Sequence, residues 1–493
     1  MKPNAVSVSG VLGVFALLFS QRWVARWQQQ WRASQGGSSR GEGGAPGGRQ
    51  RKGRRGKKST ARPFYQRVFS LRVTLWYLLF QRLNFDGTLA GVVEDVRGGG
   101  ADRLGRRGRR LSRRVRSTKT SAYNQARQRM PLELLQGALA HLGQGVLKTV
   151  GWARGSCQPL GPSQRPRQLL DGSTLSVLLT PRLAEVYAPA RNQSGASDWC
   201  LLRIVVGFCA RSGAVLSAIE GAVVQSEQVL AWALMRVAAP LTIWIGDRNF
   251  GVWSVVAQAV HHRQDVLVRL TRSRAATLCR GRGLGSGQER RIAWAPSRKD
   301  QVPPGLERSA VEGRLLYVRL NKAGRWIDLW LFTTLEAADY PLELLVRWYG
   351  QRWQAELHFR SVKTQMKLAE LDVCTPAMAR KEFYAGLLAY SLVRAVMWEA
   401  GERLEAKVQA LSFSQARRVL LAQFKQWGRS VGSQSAESWA RALLEEVAGH
   451  TLPKRRKPRP TEVRRVRHRR QKFPPLKGCR AAARKRYASP KSL

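Results

Sequence analysis

Acidic residues are scarce in this chain. Its 493 residues hold 32 Asp and Glu against 85 Lys and Arg, a net charge of +53. Such an excess points to a polyanionic partner, with nucleic acid the default and an anionic membrane surface the rival. A membrane partner would want an amphipathic basic helix or a lipid anchor, and no lipidation motif is visible. Cysteine is sparse and scattered (Cys157, Cys200, Cys209, Cys279, Cys374, Cys479), with no C-x-x-C pair. That argues against a zinc ribbon or a disulfide framework and suits the reduced thiols of a cytosolic protein. Long hydrophobic runs are missing. The apolar stretch at 11–19 is too short to span a bilayer. Gln21, Arg22 and Trp23 follow it in place of a small-residue cleavage site, so it reads as a docking helix or an over-extended start, not an export signal. The glycines of 280–287 are not followed by Gly-Lys-Ser/Thr, which excludes a phosphate-binding P-loop and leaves a flexible turn.

What remains is globular. An apolar fraction of 44% is ordinary, and the length suffices for roughly two to four domains and a large core. Residues 1–63 read as a basic, largely disordered segment, with a Gly/Ser/Arg/Lys-rich linker at 34–62 suited to nonspecific phosphate contact. Val68, Leu71, Leu75, Leu78, Leu79 and Leu83 fit an amphipathic helix, and a further helix is expected over 132–142. Residues 64–160 are therefore expected to be a helical DNA-binding region, although no helix-turn-helix signature stands out. From about 165 the pattern turns α/β. Strands are expected at Asp171 and at 200–209, 214–219, 241–246 and 265–270, with helices at 226–237 and 250–259. Three strands, a helix, a strand, a helix and a strand is the order of a ribonuclease-H-like fold. The core is placed at 161–270 and 336–400, interrupted by a β-rich insertion at 271–335 with strands at 314–320 and 326–333. C-terminal helices (401–450) and a basic tail (451–493) complete the chain.

The most informative stretch is 349–363, YGQRWQAELHFRSVK. It reads as one helix, since only Gly350 disfavours that state. On a 3.6-residue period Tyr349, Arg352, Glu356 and Lys363 fall on a stripe about 60° wide. Trp353, Leu357, Phe359 and Val362 lie on the other faces, free to pack. A surface helix with ordinary i,i+4 pairs would look the same. Two further acids change the balance. Asp171 falls on the first strand, and Asp247 ends the fourth, where open α/β sheets tend to place their sites. Each also has a plain alternative, a turn at Asp171-Gly172 and a helix cap at Asp247. Together Asp171, Asp247 and Glu356 are hard oxygen donors suited to Mg²⁺ or Mn²⁺. Two such ions can activate a nucleophile and stabilise the leaving oxygen of an in-line phosphoryl displacement. Arg352 could then grip a phosphate bidentately, with Lys363 adding charge and Tyr349 a hydroxyl.

Tyr349-x-x-Arg352-x-x-x-Glu356-x-x-x-x-x-x-Lys363 resembles the Tyr-Arg-Glu-Lys signature of the insertion-sequence-4-like bacterial transposases, the DDE group that includes the transposon-five enzyme. Residues 171–175 (DGSTL) resemble that family's first-Asp block, 246–250 (GDRNF) its second, and 331–335 (LFTTL) the strand leading into its last helix. The segments at 74–76 and 121–127 resemble its N-terminal features, so the likeness covers 64–400. The resemblance implies a ribonuclease-H-like core with a β insertion, two divalent metal ions held by Asp171, Asp247 and Glu356, cleavage at transposon ends, and joining of a free 3′ hydroxyl to target DNA. It implies that Tyr349, Arg352 and Lys363, with Arg248, hold phosphates, and that the enzyme acts as a dimer on double-stranded DNA, without membrane or small-molecule cofactor, in a cytoplasmic, nucleoid-associated setting. Some relatives flip a base near the end onto a tryptophan of the insertion, and Trp326 or Trp330 could serve here, with core packing the alternative for either. Asn249 stands where relatives often carry glycine, and its tolerance of positive φ is expected to keep that turn. A metal-dependent nuclease without strand transfer and an inactive DNA-binding derivative are the alternative functions.

Overall fold

The computed structural model describes residues 24–29, 68–84, 87–105, 110–151, 164–192, 195–322, 324–403, 408–429, 436–453, 479 and 482. The expectations for the apolar run at 11–19, the linker at 34–62 and nearly all of the tail beyond 453 fall outside them.

Among the described residues, one mixed sheet of ten strands organises the chain. Its axis is β1 (Arg167–Leu178). On one side β1 pairs antiparallel with β3 (Gly195–Cys209), which pairs antiparallel with β2 (Pro189–Asn192) and β4 (Val215–Ala222). On the other side β5 (Ile243–Gly246) runs parallel to β1, and β6 (Asp265–Arg269) parallel to β5. All four residues of β5 are buried. Such a short, wholly apolar run is what a parallel strand covered on both faces requires. The sheet then continues antiparallel through β9 (Arg325–Thr333), β8 (Val311–Lys322) and β7 (Gln288–Trp294). The short β10 (Glu370–Leu371) lies parallel to the end of β1.

Side-chain alternation along the pleat divides the core. Leu169, Leu175, Ile204, Val206 and Phe208 enter one cluster, while Leu170, Val205, Trp244, Val266 and Val268 enter the other. The second face is covered by α6 (Glu227–Val237) and α7 (Trp253–His261). Ser226 caps α6 by accepting the Val229 amide at 3.2 Å. The first face carries a helical layer: α1 (Leu71–Leu83), α2 (Leu89–Arg97), α3 (Ser121–Arg129), α4 (Leu132–Thr149), α11 (Pro376–Arg403), α12 (Phe413–Arg429) and α13 (Ala436–Gly449). At its centre is α11, buried along most of its length from Ala379 to Gly401, with Glu382 and Lys381 among the enclosed residues.

The N-terminal helices are locked to this layer. Glu382 of α11 is buried and accepts from Arg82 of α1 and Arg127 of α3. Burial works against its charge, but the two guanidinium groups outweigh it and hold the carboxyl below its ordinary range. Trp76 of α1 stacks on Phe424 of α12 with centroids 4.0 Å apart. At Gly428 any Cβ would sit 2.0 Å from the Gly100 carbonyl oxygen, so only glycine permits that approach. Among the described residues no helix is long and apolar enough to cross a membrane.

Three elements differ from the sequence-based expectation. The pattern gave no sign of α5 (Pro181–Val186), although Thr180 caps it and Pro181 opens it, or of β2. Both are too short to show periodicity. The polar stretch ahead of 311 holds β7, which pairs with β8. The strands of 271–335 also do not stand apart. They extend the main sheet through the β6–β9 register Leu267↔Thr333, with the short α8 (Arg272–Leu278) at the entry.

Candidate active site

The parallel register sets the two aspartates side by side. Leu170 of β1 pairs with Gly246 of β5, and the next residue on each strand is Asp171 and Asp247. Neighbouring strands lie about 4.8 Å apart, so the two residues are neighbours at the end of the parallel pair. Neither plain alternative applies. Asp171 lies within β1, opposite Val206, and not in a turn. The N-cap of α7 is Val252, so Asp247 caps nothing. Its Oδ1 instead accepts the Asn249 amide at 2.8 Å. Asp171 Oδ1 accepts the Gly172 amide at 2.9 Å. Burial, opposed by that hydrogen bond and by Arg352 but reinforced by Asp247 and Glu227, pushes the Asp171 carboxyl up to about 6.

The expected single helix at 349–363 is three segments. α9 (Leu342–Gly350) ends at the glycine, α10 (Trp353–Arg360) follows, and Ser361–Gln365 widens into a π turn. The junction is tightened by i→i+3 bonds (Gln351 to Trp348, 3.0 Å; Arg352 to Tyr349, 2.9 Å), whereas Met366 reaches back five residues to Ser361 at 3.0 Å. α10 packs against β1. Arg352 donates to Glu356 Oε1 at 2.7 Å and hydrogen-bonds the Tyr349 hydroxyl. Burial lowers the guanidinium's hold on its proton, but Glu356, Tyr349 and Asp171 outweigh it. Burial raises the Tyr349 hydroxyl to about 12. Tyr349, Arg352 and Glu356 therefore form one hydrogen-bonded group beside the aspartates. Lys363 lies within the π turn and faces a cleft that none of these residues line. It lines this cleft of about 680 Å³ with Arg82, Arg127 and Lys367, and burial lowers its proton affinity. Of the four apolar residues expected to pack, Phe359 and Val362 are buried, but Trp353 and Leu357 are exposed because their face of α10 is the one that borders Glu356 in solvent.

The two tryptophans separate. Trp330 stacks on Tyr317, centroids 4.2 Å apart, and packs on the second core cluster. Trp326 is 61% exposed near the β8–β9 hairpin end, with the Arg319 guanidinium 5.2 Å from its ring. Arg248 is exposed beside Asp247. The turn is kept with Asn249 in place, as expected, but without positive φ. The Asn249 side chain is engaged instead, donating to Glu227 Oε2 at 2.7 Å. Glu227 was not legible as a site residue. The available signal was an acid at the first position of a capped helix that follows a strand, in a chain short of acids.

All of these donors are oxygens, as a hard divalent cation requires. The charge of Asp247 raises the proton affinity of Asp171, and Arg352 engages Glu356. Among the described residues no three potential ligands converge closely enough to hold a metal. The oxygen donors of Asp171 and Asp247 suit a hard cation, while the Glu356 carboxylate is engaged by Arg352.

Residues 162–392 match the family described as transposase DDE domain. The chain is also similar to the transposase InsG of insertion sequence element IS4 from Escherichia coli (strain K12), 27% identical over 247 residues, which is 48% of this chain and 54% of that protein. The chain thus spans about half the length of the curated relative it matches. Among solved structures it is similar to a piggyBac transposase synaptic complex with hairpin DNA, at 10% identity and a TM-score of 0.40, covering 90% of this chain and 86% of that one.

Proposed function

We propose that this chain, which belongs to the IS4-like DDE transposases through residues 162–392, cleaves transposon ends and joins the freed 3′ hydroxyl to target DNA. The observation that carries the reading is the Leu170↔Gly246 register, which sets Asp171 beside Asp247 with the Arg352–Glu356 pair packed over β1. The strand order around β1, with antiparallel β3 carrying β2 and β4 on one side and parallel β5 and β6 on the other, supports a ribonuclease-H-like core. In this reading residues 64–160 and the basic segments bind DNA, the 271–335 strands present Trp326 to it, and the active form is a dimer on two ends in a nucleoid-associated setting.

Asp171, Asp247 and Glu356 would hold two Mg²⁺ or Mn²⁺ ions. Bound there, such ions supply Lewis-acid activation of the attacking oxygen and neutralise the leaving oxygen. The chain's own residues do the rest. The Arg352 guanidinium presents two parallel donors to a phosphate, a pairing about twice as strong as a neutral hydrogen bond. A phosphate that takes Arg352 releases the Glu356 carboxylate. Tyr349, kept neutral by burial, donates its hydroxyl to the same phosphate. Lys363 and Arg248 contribute charge from the cleft and the surface.

The test uses a labelled duplex taken from the sequence flanking the gene, a target plasmid and Mg²⁺. Wild-type protein should nick the duplex at one position and join the labelled 3′ end to the plasmid. D171A, D247A and E356A should abolish both steps and retain DNA binding. Cleavage that persists in all three variants would sink the assignment. Cleavage without joining would instead identify a nuclease.

A further inference from the structure

Asn249 is held at all three of its polar groups. Its backbone N–H donates to Asp247 Oδ1 at 2.8 Å, its side-chain amide donates to Glu227 Oε2 at 2.7 Å, and its carbonyl accepts from Gln228 Nε2 at 2.9 Å. Two of these partners are the first residues of α6, which lies across the second face of the sheet. The third is a carboxylate of the site. Asn249 therefore connects the start of α6 to the orientation of Asp247.

Glu227 reaches this position through a gap in β1. Gly172 pairs with Val205, and both belong to the face opposite Leu169 and Val206. A Cβ on Gly172 would lie 2.2 Å from the Glu227 carboxyl carbon and 2.5 Å from both of its oxygens. Without that side chain the carboxylate rests directly on the β1 backbone, one residue from Asp171. A glycine in a strand interior weakens the strand and often marks such a close approach. The plain reading of Glu227 is an acid favoured at a helix N-terminus by the helix dipole. That reading accounts for neither the gap at Gly172 nor the bond to Asn249.

We infer that Glu227 is a positioning residue: acting through Asn249, and admitted by Gly172, it fixes the turn that aims Asp247. This rests on the proposed reading of Asp247 as a metal ligand. Residues that orient a ligand in this way typically change activity or metal affinity 10- to 100-fold when removed.

The full-length protein is tested for end cleavage at saturating DNA, with Mn²⁺ affinity read by calorimetry and DNA affinity by gel shift. E227A and N249A should each lower the cleavage rate and Mn²⁺ affinity by about 10- to 100-fold, with DNA affinity unchanged. The double variant should be no worse than either single one, because both remove the same link. E227Q keeps an acceptor for the Asn249 amide and should stay within about 3-fold of wild type. N249D sets two carboxylates against each other and should fall as far as N249A. E227Q/N249D exchanges donor and acceptor and should recover, which a loss of folding could not do. Additive losses, or failure of the exchanged pair to recover, would overturn the inference. E227Q as inactive as E227A would do the same, since the charge and not the bond would then matter. D247A separates the two levels. If it leaves cleavage intact, the reading of the site fails; if it abolishes cleavage while E227A and N249A remain fully active, only the positioning role fails.

Discussion

Replacing Asp171 with Asn should stabilise the metal-free protein while removing its catalysis. The carboxyl lies beside Asp247 and partly out of water, and its pKa rises from 3.8 to about 6. A rise of about 2 is worth about 3 kcal/mol. The group is only partly buried, so solvent screening reduces this to about 2 kcal/mol. The sign follows from proton binding. Between pH 4 and 6 the folded state holds a proton that the unfolded state has lost, so wild-type stability falls as pH rises through that window. Above pH 6 the full penalty of the charged form persists. Asn carries no such charge and still offers Oδ1 to the Gly172 amide. At about 2.1 cal/mol/K per residue, a chain of this length shifts its midpoint by about 1 °C per kcal/mol. Thermal unfolding in EDTA should therefore show D171N and wild type coinciding near pH 4, then diverging to a gap of about 2 °C above pH 6, with the variant higher. Adding Mg²⁺ should raise the wild-type midpoint and leave D171N unmoved. A gap that is constant from pH 4 to 7, or a variant that melts below wild type throughout, would refute the electrostatic account of this pocket.

The buried Glu382 holds two arginines, so E382A should cost about 3–5 kcal/mol in urea unfolding, and a loss below about 1 kcal/mol would show the triad to be incidental. W326A should leave the unfolding midpoint unchanged but weaken binding of a DNA end by about 5- to 150-fold if a base stacks there, as 1–3 kcal/mol implies; W330A, which removes the Tyr317 stack, should lower stability, and the reverse pattern would exchange their roles. R352K keeps charge but loses the planar fork, so cleavage should fall at least about 10-fold in a single-turnover assay, and full activity would dismiss the bidentate phosphate grip.

Much of the site was legible because its chemistry is written in residue types at fixed spacing. The strands of β3, β5 and β6 are dense apolar runs, and Asp247 follows β5 directly, so their positions could be read from local pattern. What local pattern lacks is register. Nothing within the sequence around Asp171 says that Leu170 lies opposite Gly246; that pairing is a tertiary fact. The same holds for Lys363. A strict 3.6 period sets it in line with Glu356, but the π turn at Ser361–Gln365 alters the phase between them. Trp353 and Leu357 look like core residues because hydrophobicity says nothing about which face meets solvent. Glu227 was hidden for a different reason: its partner Asn249 is 22 residues away, and the space it occupies is defined by a side chain that Gly172 does not have.

The clasp between Arg82 and Glu382 spans 300 residues of sequence. It imposes an order in time. At a synthesis rate of about 5–20 residues per second, α1 waits roughly 15–60 s for α11 to emerge. Until then Trp76 lacks Phe424 and Trp427, and Leu75 and Leu79 lack the layer that encloses them. A ribosome halted ahead of α11 would therefore carry a basic nascent chain with exposed apolar helices and an incomplete core. The helical layer can close only once nearly the whole polypeptide exists, so a chain truncated ahead of α11 is left without the helix on which that layer is built.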